Sequence, residues 1–232
     1  MTDTQETYDA NQYERPSVTV DLVIFTLRRD QLQVLLIRRK KWPYESMWAL
    51  PGGFVHMDES LQAAARRELQ EETGLRDVYL EQLYTFGHPQ RDPRTRVITV
   101  AYFALIGSDQ LVLRADTDAA QAEWFPALDP PPLAFDHTDI LRYAITRLRY
   151  KLEYSAVGFQ LLPAEFTLTD LQTAYEIILD EALDKRNFRR RILQADILEE
   201  TGFRRTGEHR PAKLYRFRDD AVAEVKARRL FP

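Results

Sequence analysis

The chain contains no cysteine. That absence removes disulfides, thiolate metal sites and cysteine nucleophiles together, and it makes the cytoplasm the expected compartment. Histidine is almost as scarce: four residues, at positions 56, 88, 137 and 209, are too dispersed for an all-histidine metal centre. No apolar run approaches the ~18 residues of a membrane span, so no span is expected and no membrane partner is assigned. Residues 1–16 are polar and acidic, without the apolar stretch of a secretory leader, and are expected to form a flexible arm. Internal repeats and low-complexity tracts are missing too. What remains is ordinary globular material: 232 residues, 44% hydrophobic and 29% charged, enough for a sizeable core and too apolar for global disorder.

The net charge of −4 hides an asymmetry. Lys185 to Arg218 carries eleven Lys/Arg against four Asp/Glu, which leaves 21 basic against 32 acidic residues for the rest of the chain. A local excess of this kind points to contact with nucleic acid or a membrane surface.

Val18 to Leu27 is rich in β-branched and aromatic residues and reads as a strand, turning at Arg28-Arg29-Asp30 into a second strand, Gln31 to Ile37. Gly52-Gly53 is a loop signal, followed by the helical period of Glu59 to Glu72. Further strands are expected at Val78 to Phe86, Arg96 to Ile106, Gln110 to Leu113 and near Glu123-Trp124-Phe125, with Trp48 and Trp124 as core aromatics. The run Asp129-Pro130-Pro131-Pro132 can be neither helix nor central strand, and an amphipathic helix is expected after it, from Thr138 to Leu152. A domain boundary is placed just beyond, giving an arm at 1–16, a first domain at 17–153 and a second at 154–232.

The second domain has a different grammar. Thr169-Asp170-Leu171-Gln172 fits a capping box opening a helix whose inner face is Leu171, Ala174, Tyr175 and Ile178. Asp184 is expected to cap another helix, with Phe188, Ile192 and Ala195 on one stripe. Strands at Ile197 to Phe203 and Lys213 to Phe217 then flank the loop from Arg204 to Ala212. The class is α+β.

The chemistry of the first domain lies in its carboxylates. Glu68 and Glu72 are four apart on the expected helix, and Glu71 reaches the same edge. Three such groups repel one another unless a cation lies between them, and oxygen-only ligands select Mg²⁺, Ca²⁺ or Mn²⁺ rather than zinc. A solvated face paired with Arg66 and Arg67 is the simpler reading of an isolated E-x-x-E-E. The spacing argues against it: Gly53, five residues, Glu59, seven residues, Arg67-Glu68-Leu69, one residue, Glu71-Glu72, one residue, Gly74-Leu75. At ordinary residue frequencies a chance match in a chain this long is on the order of one in ten million.

This segment resembles the Nudix signature in full, and the resemblance covers Val18 to Leu152. It implies an α/β/α sandwich on a mixed sheet. It also implies that Glu68, Glu71 and Glu72 bind Mg²⁺ (or Mn²⁺) with the Gly53 carbonyl as a further ligand, while Arg67 and Glu59 orient them. A metal-activated water would attack a diphosphate, with a box glutamate or one of Asp116, Asp118 and Glu123 as general base. The run Arg91-Asp92-Pro93-Arg94-Thr95-Arg96 is similar to a segment of ADP-ribose pyrophosphatases, so Arg91, Arg94 and Arg96, with Arg38, are the expected ligand-binding residues. His56 and His88 read as surface or loop-packing residues.

In the second domain, helix–turn–helix plus a two-stranded wing is a DNA-reading arrangement. Arg186, Arg189, Arg190 and the semi-lateral Arg191 are expected on an exposed face, with arginine reading guanine, Asn187 adenine, and Lys185 or Arg204 contacting phosphate. His209, Arg210 and Lys213 would stand at the wing tip. KRNFRRRIL followed by the hairpin RPAKLYRF resembles the winged helix of NrtR-type regulators. That resemblance implies a homodimer on a palindromic operator of NAD-metabolism genes, with ADP-ribose or a related nucleotide as effector. The alternative is a Mg²⁺-dependent ADP-ribose pyrophosphatase whose second domain serves only assembly.

Overall fold

The computed structural model describes residues 12–76, 78–107, 122–154, 157–206 and 211–218. The strand expected at 110–113, Asp116, Asp118, His209, Arg210 and most of the N-terminal arm lie outside these residues.

Among the described residues nine strands and four helices follow in the order β1 (Ser17–Arg28), β2 (Gln31–Arg38), β3 (Trp48–Ala49), β4 (Gly52–Phe54), α1 (Leu61–Thr73), β5 (Tyr79–Phe86), β6 (Val97–Ile106), β7 (Ala122–Pro126), α2 (His137–Tyr154), α3 (Leu168–Leu179), α4 (Lys185–Gln194), β8 (Leu198–Arg205) and β9 (Ala212–Phe217). A 3₁₀ turn, Val157–Leu161, joins α2 to α3. The main sheet runs β3-β2-β1-β6-β5, with β4 added to β1 and β7 to β2. β1 and β6 pair in parallel from Ser17↔Val97 to Thr26↔Ile106, and the other pairings are antiparallel, so the sheet is mixed.

β1 is buried without a break from Thr19 to Thr26 because both faces are covered. The period of two sends Val20, Leu22 and Ile24 to one side, where Ala64, Ala65 and Leu69 of α1 meet them. Val23 and Phe25 point the other way, toward Ile140, Leu141, Ala144 and Leu148 of α2. Asp21 shares that second face by the same alternation, and this brings a carboxylate to the start of α2.

The second core does not stop at the domain boundary. Leu152 of α2, Phe159 and Leu161 of the 3₁₀ turn, Leu171, Tyr175 and Ile178 of α3, and Phe188 and Ile192 of α4 belong to the same buried cluster as Phe25 and Phe103. Gly158 permits this closeness: a Cβ there would stand 2.7 Å from Leu152 Cδ2 and 3.2 Å from the Tyr175 ring.

The helices of the second domain begin where their caps put them, and one start differs from expectation. Thr167, not Thr169, caps α3: its hydroxyl accepts the Asp170 N–H at 3.1 Å, and the Asp170 carboxylate accepts the Thr167 N–H at 2.8 Å. A capping box needs its acid three residues after the cap, and Asp170 satisfies this for Thr167. Gln172 instead donates to Glu176 and to the Leu183 carbonyl, both at 3.0 Å, bracing the turn into α4. Asp184 caps α4 as expected, accepting the Asn187 N–H at 2.8 Å.

A core shared by both domains predicts a single unfolding transition in calorimetry. Thr167→Ala should lower stability by about 1 kcal/mol through the lost cap, and Phe188→Ala by roughly 3–5 kcal/mol through a cavity in a fully packed site. Both should shift that one transition; two resolved transitions, only one of them moved, would contradict a common core.

Candidate functional site

Two groups of polar side chains flank the loop of Gly52 and Gly53, and a third lies on α4.

The first is organised by Arg67. Its guanidinium donates to both oxygens of Glu59, at 2.8 and 3.2 Å, to Glu68 Oε1 at 2.6 Å and to the Phe54 carbonyl at 3.2 Å, and it stands 3.6 Å from Glu71. Glu59 and Arg67 fit the orienting roles implied by the signature. Hydrogen bonding from Arg67 pulls the Glu59 carboxyl down to about 2, and the same bond raises the pKa of Arg67. Glu68 and Glu72 behave in the opposite way. Burial pushes the Glu68 carboxyl up, and burial together with the charges of Glu68 and Glu71 pushes Glu72 up to about 7. Glu72 Oε2 is buried without a hydrogen-bond partner.

Gly53 is required by this packing: a Cβ there would lie 2.1 Å from Glu68 Oε1. At Gly52 a Cβ would lie 2.2 Å from the Val20 carbonyl oxygen, a backbone atom that cannot give way. Among the described residues no three acidic or histidine side chains stand close enough to enclose a metal ion. Arg67 occupies the inner side of Glu68, and Glu71 is 57% exposed. The donor chemistry nonetheless fits a hard divalent cation. The groups are all-oxygen, two of them are desolvated, and one buried oxygen lacks any counter-charge. Glu123, the general-base candidate among the described residues, is exposed on β7 opposite Leu36.

The second group lines a cavity of about 170 Å³ bounded by Asp21, Arg39, Gly53, Phe54, Arg91, Arg94, Phe135 and His137. Arg91 was expected to meet ligand. The structure makes it a strut: it is 4% exposed and donates to Asp136 at 2.7 and 2.9 Å and to Asp21 at 3.1 Å. His137 accepts the Leu50 N–H at 2.9 Å through Nδ1, and burial holds its pKa below the ordinary value. Arg94 pairs with Asp92 at 2.7 Å and lies 5.7 Å from the Phe54 ring and 5.8 Å from the Phe135 ring.

Arg38 and Arg96 do not line this cavity. Arg38 is exposed and donates to the Ser46 carbonyl, and Arg96 is exposed beside His88 and Val97. One residue beyond Arg38, Arg39 takes the place expected of it, 4.7 Å over the Phe135 ring. Burial, and after it the neighbouring charge of Arg94, lower the Arg39 pKa against the opposing pull of Asp92 and Asp21. Sequence reasoning missed Arg39, Asp21, Phe135, Asp136 and His137. For Asp21, a single acid within an otherwise apolar strand was a usable signal; the others carry none.

The third group is on α4. Phe188 and Ile192 are buried, while Lys185, Arg186, Asn187 and Arg190 are exposed, with Arg190 donating to Asn187 at 3.0 Å. Two arginines depart from the expected outer face. Arg189 and Arg191 are half-buried, and Arg189 Nη2 donates to Thr169 of α3 at 3.1 Å. The angular step from Phe188 explains it: the next residue along the helix turns toward α3. Lys213 pairs with Glu200 at 2.8 Å on the wing.

A sandwich carrying this acidic helix, followed by a winged helix, defines a Nudix domain joined to a DNA-binding module. The NUDIX domain family model matches residues 17–146, and that for the NrtR DNA-binding winged helix domain matches residues 158–217. The chain belongs to the NrtR family. It is 44% identical over 216 residues to the ADPR responsive transcriptional repressor of Acinetobacter baylyi, covering 90% of this chain and 85% of that one. It superposes on Shewanella oneidensis NrtR complexed with a 27mer DNA with a TM-score of 0.83 at 40% identity, over 92% of this chain and 99% of that one. The Nudix domain of that same relative, complexed with ADP ribose, matches with a TM-score of 0.55 at 37% identity over 64% of this chain and 99% of that one. An ADP-ribose pyrophosphatase of Methanocaldococcus jannaschii is 40% identical over 131 residues, 56% of this chain and 73% of that one.

The buried Glu72 gives a pH prediction for the metal-free protein. Its folded pKa, about 7, lies above the ordinary carboxylate value, so the unfolded chain releases this proton first as pH rises. Stability from this group is therefore complete below about pH 4.5 and is lost progressively up to about pH 7. Glu72→Gln should accordingly stabilise the metal-free protein more at pH 8 than at pH 5 in denaturant titrations. An equal effect at both pH values would mean that Glu72 is solvated.

Proposed function

We propose that this protein is a transcriptional regulator of NAD-related genes that binds double-stranded DNA through its winged helix and senses ADP-ribose or a related nucleoside diphosphate through its Nudix domain. The observation that carries this reading is α4. Phe188 and Ile192 of its apolar stripe are buried inside the protein, while Arg186, Asn187 and Arg190 are left exposed on the outer side, beside the half-exposed Leu193. Arg186 and Arg190 read guanine edges, Asn187 reads adenine, and Lys185 contacts phosphate. Arg189, Arg191, Lys213 and Arg210 add positive charge beside the backbone. A homodimer on a palindromic operator follows from the small reading surface of one module, since two half-sites multiply its affinity. Action in the cytoplasm is part of this reading and is in keeping with the bacterial repressor that the chain resembles.

The Nudix cavity supplies the sensor. Arg39 and Arg94, crowded around Phe135, attract the diphosphate of the ligand, and Phe54 and Phe135 offer ring faces. Glu68, Glu71 and Glu72, with the Gly53 carbonyl, would hold Mg²⁺ or Mn²⁺. Such an ion neutralises phosphate charge and lowers the pKa of a bound water. Within this arrangement Arg67 and Glu59 keep the carboxylates oriented. The complete acidic set, and the likeness to the pyrophosphatase of M. jannaschii, favour a second reading in which hydrolysis of the effector is retained.

Binding to a palindrome from the protein's own promoter, measured at several salt concentrations, tests the first reading. Arg186→Ala and Arg190→Ala should each weaken specific binding by about 5–150-fold, the ~1–3 kcal/mol of a base-reading arginine. Lys185→Ala should weaken all sequences alike and reduce the salt slope by about one unit. Absence of specific DNA binding by the wild type would leave the pyrophosphatase reading. For that reading, Glu72→Gln should abolish metal-dependent ADP-ribose hydrolysis and leave DNA affinity intact.

A further inference from the structure

We propose that α2 transmits the state of the ligand cavity to the winged helix by sliding as a rod, with Phe135–His137 as its input and the Arg149–Ile178 hydrogen bond as its output. This rests on the reading of the cavity as the effector site and of α4 as the DNA-reading helix.

At one end, α2 begins inside the cavity wall. Phe135 lies under Arg39 and Arg94, Asp136 accepts both hydrogen bonds from Arg91, and His137 accepts the Leu50 N–H. Phe135 has φ +54°, a left-handed conformation costly for an aromatic residue, so the segment entering α2 is under backbone strain. An anion drawn to Arg39 and Arg94 changes what holds the Phe135 ring, and that ring stands two residues before the helix.

At the other end, 18 residues or about 27 Å along, α2 is packed into the second domain. Leu148 and Leu152 share the cluster of Tyr175, Ile178 and Phe188, and Arg149 Nε donates to the Ile178 carbonyl at 2.8 Å in the last turn of α3. From α3 the connection to α4 is direct. Leu183 N–H donates to Glu176 at 2.9 Å, Arg189 donates to Thr169, and the Tyr175 and Phe188 rings meet edge to face at 5.5 Å.

The strands offer a rival route, because β2 runs from Ile37 beside Arg39 toward α3. β2, however, is hydrogen-bonded to β1, β3 and β7, and β1 to β2, β4 and β6. Sliding either strand breaks ladder bonds. α2 lies on the sheet through apolar side chains and the ion pairs of Arg147 and Lys151 with Glu81, so a shear of about 1–2 Å breaks no ladder bond; what it must remake are the entry contacts of Asp136 with Arg91 and of His137 with Leu50, the contacts that border the cavity.

The test is a linkage measurement. In the wild type, DNA affinity should change with saturating ADP-ribose by about 5–150-fold, and ADP-ribose affinity should change with DNA by the same factor. Arg149→Met keeps the apolar stem and removes the donor. It should bring this factor toward one while leaving each ligand's affinity, measured alone, within about threefold. Arg142→Ala, on the exposed face of the same helix, should leave the factor unchanged. Hydrogen exchange of the wild type, which needs no variant, should show ADP-ribose altering protection in α2 and in the last turn of α3 together. A full coupling factor in Arg149→Met, or exchange changes confined to the cavity loops, would overturn the proposal. No effect of ADP-ribose on the wild type's DNA affinity would overturn the effector reading itself, and the rod with it.

Discussion

The buried guanidinium of Arg91 is the interaction on which the rest of the structure depends. It joins three segments distant in sequence: Asp21 on β1, the loop before β6, and Asp136 at the entry to α2. Burial works against its charge, but the hydrogen bonds to Asp136 and the charge of Asp21 outweigh that and hold its pKa above the ordinary value. A charge buried to this degree is tolerated only when paired, and removing one partner of such a set typically costs about 3–5 kcal/mol. The cavity wall, the register of α2 and the position of His137 all follow from it.

The two sides of the Gly52–Gly53 loop carry opposite electrostatic problems. On the side of α1, carboxylates are crowded and short of cations, so Glu72 rises toward neutrality. On the side of Phe135, burial and the charge of Arg94 lower the pKa of Arg39, because the nearby aspartates are already engaged by Arg91 and Arg94. A ligand bearing phosphates together with a divalent metal ion relieves both. The glycines keep the two halves close, since a side chain at either position would collide with Glu68 or with the β1 backbone.

Much of this was legible beforehand. The signature from Gly53 to Leu75 is local, and a helix places residues at fixed angular steps, so Glu68, Glu71 and Glu72 had to share one edge. The stripe of Phe188 and Ile192 was readable for the same reason. The errors came where packing against another element decides orientation. Arg189 lies one step from Phe188 and is drawn against Thr169, which no helical wheel of α4 alone contains. Thr167 displaced Thr169 as the cap of α3 because the reciprocal partner, Asp170, stands three residues after Thr167.

The sequence by itself determined the longer strands and helices, the acidic edge of α1, the Asp184 cap and the buried stripe of α4, because each depends on residues within a few positions of one another. The tertiary structure alone decided the roles of the arginines. Arg91 became a strut and Arg39 a cavity residue because the parallel pairing of β1 with β6 sets Asp21 beside the start of α2, a distance in sequence of more than 100 residues. It alone also decided that one apolar cluster serves both domains, since whether the 3₁₀ turn at Gly158 packs against α3 depends on the fit of Leu152 to Tyr175 rather than on any local preference.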